Sequence, residues 1–311
     1  MSALKKMKYY SAASFCFGSN IRLYQVFLES KNFSEKKYEG LFEELKKEIL
    51  KYEETIDKTE IKTISDLESY MVVKERLLEA LDYTEKKDNN SLEYSYAYAN
   101  ERLRSAHSWA EFLNHKGEQF KFDKERLKEI CRQKIAESEE RLQYASIYIP
   151  FGLESPKTEL SRAYDDFNSG NYELCIFKAS KSKAESNVIL SSIGVNEDYL
   201  KEYIENKLKI AGRVISKAAE KNRFPILGYS YYQYAISLKD DPYSALLYTE
   251  YALELSNLDL YFEKRELFII PKIEMEKMHL LIIGILIGML AGILISNYKP
   301  SKTRALLGKK R

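Results

Sequence analysis

Tyr164-Asp165-Asp166-Phe167-Asn168-Ser169-Gly170-Asn171-Tyr172-Glu173-Leu174-Cys175-Ile176-Phe177-Lys178-Ala179 decides the fold class. Apolar residues at helical spacing run into Ser169-Gly170-Asn171, a cluster that favours a tight turn, and helical spacing resumes at Tyr172. The grammar is helix, turn, helix. It recurs from Tyr231 to Leu255, where Asp240-Asp241-Pro242-Tyr243 is the turn and Leu246, Leu247, Ala252 and Leu255 come after it at helical spacing. The composition agrees: 12 Gly and 6 Pro in 311 residues, with 45% apolar and 31% charged residues, favour helices and a real core over sheets or disorder. The expected class is all-α.

Tyr172 and Tyr243 lie about two 34-residue periods apart, as in tetratricopeptide-type hairpins, and Tyr10 to Phe17 is a weaker echo of the pattern. Upstream, the chain reads as long amphipathic helices. Ala13, Phe17, Ile21, Tyr24 and Leu28 share one stripe, and Leu41, Leu45, Ile49 and Tyr52 another. Ser65 with Glu68 suggests a capping box, and Asn90 with Glu93 the next helix start. That next helix carries Tyr94, Tyr96, Tyr98 and Trp109 up to Gly117. Pro150, Gly152 and Pro156 mark an internal boundary, with Ser155 as N-cap and Pro156 as first residue of the helix beyond it. Four regions result: long helices over 1–150, helical hairpins over 151–270, a transmembrane helix over 278–298, and a tail over 299–311.

From Leu280 to Ile295 there is no charged side chain, and with His279 and Ser296-Asn297-Tyr298 the stretch reaches about 30 Å as a helix, enough to span a bilayer once. Within it Gly284, Gly288, Gly292 and Ser296 recur every fourth residue, a small-residue face that invites a second helix. Lys299, Lys302, Arg304, Lys309, Lys310 and Arg311 come next with no acid, whereas residues 1–298 hold 43 bases against 47 acids. A slightly acidic domain with interleaved charges is a poor nucleic-acid footprint, so the expected partners are a lipid bilayer and either a protein or a second copy. The positive-inside rule puts the tail in the cytoplasm and the domain outside the cell membrane. Tyr9 to Phe17 after Lys5, Lys6 and Lys8 is a weak signal sequence and reads better as a packed helix. Either Met1 is therefore not the biological start, or the chain is tail-anchored with its domain in the cytoplasm.

The sequence carries no phosphate loop, dinucleotide fingerprint, nucleophile elbow or zinc-helix motif, so neither cofactor nor metal is expected. His107 and His115 have no third ligand. Ser180-Lys181-Ser182-Lys183 has the S-x-x-K spacing without its companions and reads as the solvated face of a helix. Asp165-Asp166 and Asp240-Asp241 read as turn caps. Cys16, Cys131 and Cys175 are isolated and odd in number, which argues against a disulfide framework and for small core hydrophobes. Asn32-Phe33-Ser34 and Asn89-Asn90-Ser91 are glycosylation sequons that matter only on an exported domain.

Tyr9 to Asn20, Gly170 through Glu185 and Tyr243 through Leu255 resemble the helical C-terminal region of membrane-anchored archaeal proteins related to Lon-type serine proteases, which also end in a single span and a basic tail. The motifs concerned are packing patterns. The glycine-flanked serine and downstream lysine of a Lon-like proteolytic domain have no counterpart here, so protease activity does not carry over. The resemblance implies a stand-alone accessory and anchoring part, or a fragment whose catalytic half lies upstream. The leading functional reading is a non-enzymatic, membrane-anchored scaffold presenting a Tyr-rich surface, with the non-catalytic part of a Lon-like membrane protease system as the alternative.

Overall fold

The computed structural model describes residues 9–85, 91–149, 151–193, 196–238 and 240–265 of one compact unit, and residues 286–290 and 292–293 of a separate C-terminal one. In the first unit the described residues form ten helices: α1 Tyr9–Glu29, α2 Glu35–Ile56, α3 Ile64–Glu85, α4 Leu92–Ala110, α5 Lys124–Tyr148, α6 Glu154–Ser169, α7 Tyr172–Ser192, α8 Glu197–Glu220, α9 Ile226–Ser237 and α10 Pro242–Leu255, with a short 3₁₀ turn over Leu258–Tyr261. The all-α class holds. The extended backbone contributes only an isolated antiparallel bridge between Phe120 and Lys264 among the described residues.

Three hairpins of sequential helices organise the unit: α3 with α4, α6 with α7, and α9 with α10. The α6–α7 turn closes as its sequence demands. Gly170 takes a left-handed φ of 79° at the end of α6, where a Cβ would be strained, and its N–H reaches back to the Phe167 carbonyl. The α9–α10 turn uses Asp241, whose carboxylate accepts the Ser244 N–H at 3.2 Å, and then Pro242 in the first helical turn.

Helices α3 and α7 are central because each buries apolar residues on several sides. In α3, Leu67, Met71, Val72, Val73 and Leu77 are all buried; in α7, so are Leu174, Cys175, Ile176, Phe177, Ala179 and Ala184. Such a helix must be surrounded, and its charged residues must find partners on the neighbours. Helix α7 contacts α3, α5, α6 and α10, and core residues from both sides of Pro150, such as Ile130 and Phe177, pack in one cluster. Each large apolar side chain so buried stabilises the fold by about 2 kcal/mol. Helix α1 packs on α4 through Ile21 and Leu28, which cluster with Ala97, and on α9 through Tyr10 and Ser11, so Tyr9 to Phe17 begins a packed helix, although Ala13 of the expected stripe is exposed.

Five local readings change, the first being that Ser91 rather than Asn90 caps α4, its hydroxyl accepting the Tyr94 N–H. Cys131 and Cys175 are both fully buried and joined as a disulfide between α5 and α7, with Cα atoms 5.7 Å apart. Their spacing of 44 residues hides a contact made by helix packing. The α3 cap is Thr63 with Asp66: the Thr63 hydroxyl accepts the Asp66 N–H at 3.0 Å, and the Asp66 carboxylate accepts the Thr63 N–H at 2.9 Å. Ser65 and Glu68 act elsewhere, Ser65 donating to the Phe224 carbonyl at 2.5 Å and Glu68 accepting the Leu227 N–H at 2.7 Å. They hold the start of α9, which has no side-chain cap of its own. Helix α6 begins at Glu154 with Leu153 before it, so Ser155 is its second residue rather than the cap and Pro156 its third rather than its first. Finally, Ser180 and Ser182 are buried and Lys181 and Lys183 partly buried and ion-paired, in place of the solvated face expected there.

Among the described residues no helix is long and apolar enough to cross a membrane. Most of the expected span, including Gly284 and Ser296, lies outside the described residues, as do Lys299, Lys302, Arg304, Lys309, Lys310 and Arg311. The described part, 286–290 with 292–293, is helical. Its Leu286, Ile287, Met289, Leu290 and Ile293 are each more than half exposed, and open space surrounds Gly288 and Gly292.

Candidate functional site: a tyrosine-lined cleft

The feature of the first unit with most chemical character is a cleft of about 610 Å³ where α1, α3, α4, α7, α9 and α10 converge. Its aromatic wall is built from tyrosines one helical turn apart, Tyr231 with Tyr234 on α9 and Tyr248 with Tyr251 on α10, and is closed by Tyr10 of α1 and Trp109 of α4. Tyr10 meets Trp109, Tyr231 and Tyr234 edge-on, with ring centroids 5.9, 6.2 and 6.1 Å apart. Tyr234 and Tyr248 meet edge-on at 4.6 Å. Interlocked rings hold one another in place, so this wall is pre-formed.

The opposite wall is ionic. Arg76 lies 3.5 Å from Glu75 and 3.0 Å from Glu79, Arg102 lies 2.8 Å from Glu79, and Lys181 lies 3.5 Å from Glu75 and 3.2 Å from Glu159. Arg102 also rests on the Phe17 ring, 4.4 Å from its centroid. Burial alone would push the Glu75 carboxyl up, but Lys181, Arg76 and Arg102 outweigh it and hold its pKa below the ordinary value. Arg76 and Lys181 are held charged in turn, since their carboxylate neighbours overcome the burial that disfavours a cation.

This arrangement is rich in fixed hydrogen-bond donors. Burial raises the Tyr10 hydroxyl to about 12 and raises those of Tyr231, Tyr234 and Tyr248, so all four keep their protons near neutrality. The buried Nε–H of Arg76 has no acceptor among the described residues. A second cavity, of about 530 Å³, abuts the first at Glu75 and Glu79 and continues past the stacked rings of Tyr83 and Tyr98, 4.0 Å apart. The tyrosine-lined cleft, a groove between α3 and the α9–α10 hairpin, shares only Glu75 and Glu79 with this cavity.

Other residues singled out by sequence fall outside this site. His107 and His115 are both exposed, and α4 ends at Ala110, so they share no helix face. Ser180 has no hydrogen-bond partner among the described residues, and the Lys183 ammonium is engaged by Glu137 at 2.8 Å and Glu254 at 3.1 Å. That pair is not arranged as nucleophile and base. Asp241 caps a turn as expected, whereas Asp166 is buried against Lys178 at 2.7 Å.

The groove residues themselves carry almost no sequence signal, because six helices supply them. The i, i+3 tyrosine pairs of α9 and α10 are the one trace. Comparison of the chain with protein-family models, with curated proteins and with solved structures returns no match.

Proposed function

We propose that the chain is a non-enzymatic, membrane-anchored helical scaffold whose groove receives an extended segment of a protein partner. The observation that carries this reading is the pre-formed tyrosine wall together with the Arg76, Arg102 and Lys181 side chains that line the same cleft. A polypeptide backbone supplies carbonyl acceptors at regular intervals, and its side chains stack on tyrosine faces at little entropic cost, since the rings are already held.

The anchor in this reading is His279 to Tyr298. It is supported by the absence of charge from Leu280 to Ile295 and by the exposure of every large side chain in the described helical part. An uncovered apolar helix is costly in water and favourable in lipid, where helical bonds satisfy the backbone. Gly284, Gly288, Gly292 and Ser296 then serve as the face for helix packing between copies. An engaged Lys183 beside a buried Ser180 supports the non-enzymatic part.

The test is a photo-crosslinking amino acid at Tyr234 in the full chain, compared with the same group at Tyr144, exposed on α5. A discrete polypeptide adduct at Tyr234, absent at Tyr144 and lost on Arg76→Ala, is expected. Identical adducts at both positions would defeat the groove as the site. Cleavage of an unstructured polypeptide by the purified chain, unaffected by Ser180→Ala, would defeat the non-enzymatic reading.

A further inference from the structure

We infer that the helical unit stands on the exoplasmic, oxidising side of the membrane, with the basic tail in the cytoplasm; the inference rests on the anchor proposed above. The first observation is chemical. Cys131 and Cys175, on different helices and 44 residues apart, are joined in the core with no exposed surface, while Cys16 is unpaired and exposed. A fully buried cross-link is out of reach of thiol exchange once formed, so it is a structural bond and not a redox switch. Bonds of this kind form where the surroundings are oxidising, and reducing compartments hold thiols reduced.

The second observation is independent of the first. Disulfides also persist inside the cells of hyperthermophiles, and the chain's richness in Lys, Glu, Ile and Tyr is a bias of that kind. The bond by itself therefore does not choose a side. The charges do: six cations and no acid come after the apolar stretch, against two lysines and two glutamates from Lys272 to His279 before it. Cations beside a span stay cytoplasmic, so a single crossing carries everything upstream to the opposite face. The reverse placement demands the export of an all-basic tail, which the charge rule disfavours, and a core disulfide facing the cytoplasm, which only an interior of the hyperthermophile kind sustains.

Two reporters with one free cysteine each test this in the full chain, each in a Cys16→Ser background that keeps the Cys131–Cys175 bond and expressed in native cells. Phe151→Cys reports the helical unit, Phe151 being 75% exposed, and Ser301→Cys reports the tail. A membrane-impermeant maleimide added to sealed cells is expected to label Phe151→Cys at once and Ser301→Cys only after permeabilisation. The opposite pattern overturns the inference. So does acid-quenched wild-type chain with all three thiols reactive in denaturant, where one is expected. Recovery of the chain in the detergent-free supernatant would instead defeat the anchor, and ultracentrifugation of the same cells keeps the two failures apart.

Discussion

Removing the Cys131–Cys175 cross-link should weaken the helical unit by an amount its topology sets. A cross-link stabilises chiefly by restricting the unfolded chain, by about 3 kcal/mol for a 15-residue loop and about 4.7 kcal/mol for a 100-residue one. For two cysteines 44 residues apart the same relation gives about 4 kcal/mol. The native side should not offset this, because a Cα separation of 5.7 Å is an ordinary disulfide distance. Replacing both cysteines with alanine also removes two buried sulfurs, so the better perturbation is the reduced wild-type chain, with Cys131→Ala/Cys175→Ala as its companion. In a unit of this size the loss corresponds to a fall in melting temperature on the order of 10 °C. Circular dichroism on detergent-solubilised full chain, with and without reductant, reads that shift. Thiol titration in denaturant should find one reactive cysteine before reduction and three after. Three before reduction, or equal melting temperatures for oxidised and reduced chain, would refute the reasoning.

Named contacts give three further expected outcomes. Glu68 is buried with one oxygen unpartnered, and burial, aided by Asp259, raises its pKa well above the ordinary value. A raised carboxyl stabilises the fold below its unfolded pKa and loses that contribution as pH rises through the folded value. Glu68→Gln keeps the acceptor for Leu227, so it should raise the denaturation midpoint at pH 8 relative to wild type and not at pH 4; an equal gain at both pH values counts against this. Lys134 is buried between Glu254 at 2.5 Å and Glu137 at 3.5 Å. Lys134→Met should cost about 3 kcal/mol by urea unfolding, with part restored in Lys134→Met/Glu254→Leu, and strictly additive losses would exclude the coupling. Asn32 lies in the exposed α1–α2 connection, and the sequon hydroxyl of Ser34 caps α2. On an exoplasmic unit, native-source chain should carry a glycan there that Asn32→Gln removes; an intact mass equal to the bare polypeptide would rule it out.

How much of the fold and the groove is readable from sequence depends on the range of the interaction. The helix class, the left-handed Gly170 turn and the Asp241-Pro242 start of α10 are legible because each is set by residues within a few positions of one another. The capping box fails because Ser65 and Glu68 satisfy the local rule equally well but spend their polar atoms on Phe224 and Leu227, 159 residues away. The cysteine pair fails for the same reason. Lys181 and Lys183 look solvated in sequence because lysine is seldom buried without a partner, and their partners lie on other helices. A hint is present: the stretch Leu174 to Ser186 is apolar or small on every face apart from its charged residues, which marks a surrounded helix. The groove leaves only the tyrosine spacing, since convergence of six helices has no local signature.

The lysines of α7 explain why an encircled helix should carry charge at all. Lys178 pairs with Asp166 on α6, Lys181 with Glu75 on α3 and Glu159 on α6, and Lys183 with Glu137 on α5 and Glu254 on α10. Burying these pairs contributes little net stability, because desolvation consumes most of their attraction. Direction is another matter. Small and apolar side chains such as Ala179, Ser182 and Ala184 let α7 approach its neighbours closely, yet they would tolerate sliding or rotation between smooth surfaces. Three ammonium groups, each matched to carboxylates on a particular neighbour, make a rotated or shifted α7 leave buried charges unpaired. The same geometry fixes where Lys181 meets Glu75, which is itself paired with Arg76 in the ionic wall of the groove. The contacts that specify the packing of α7 are therefore the contacts that shape the site, and the site needs no flexible loop to assemble it.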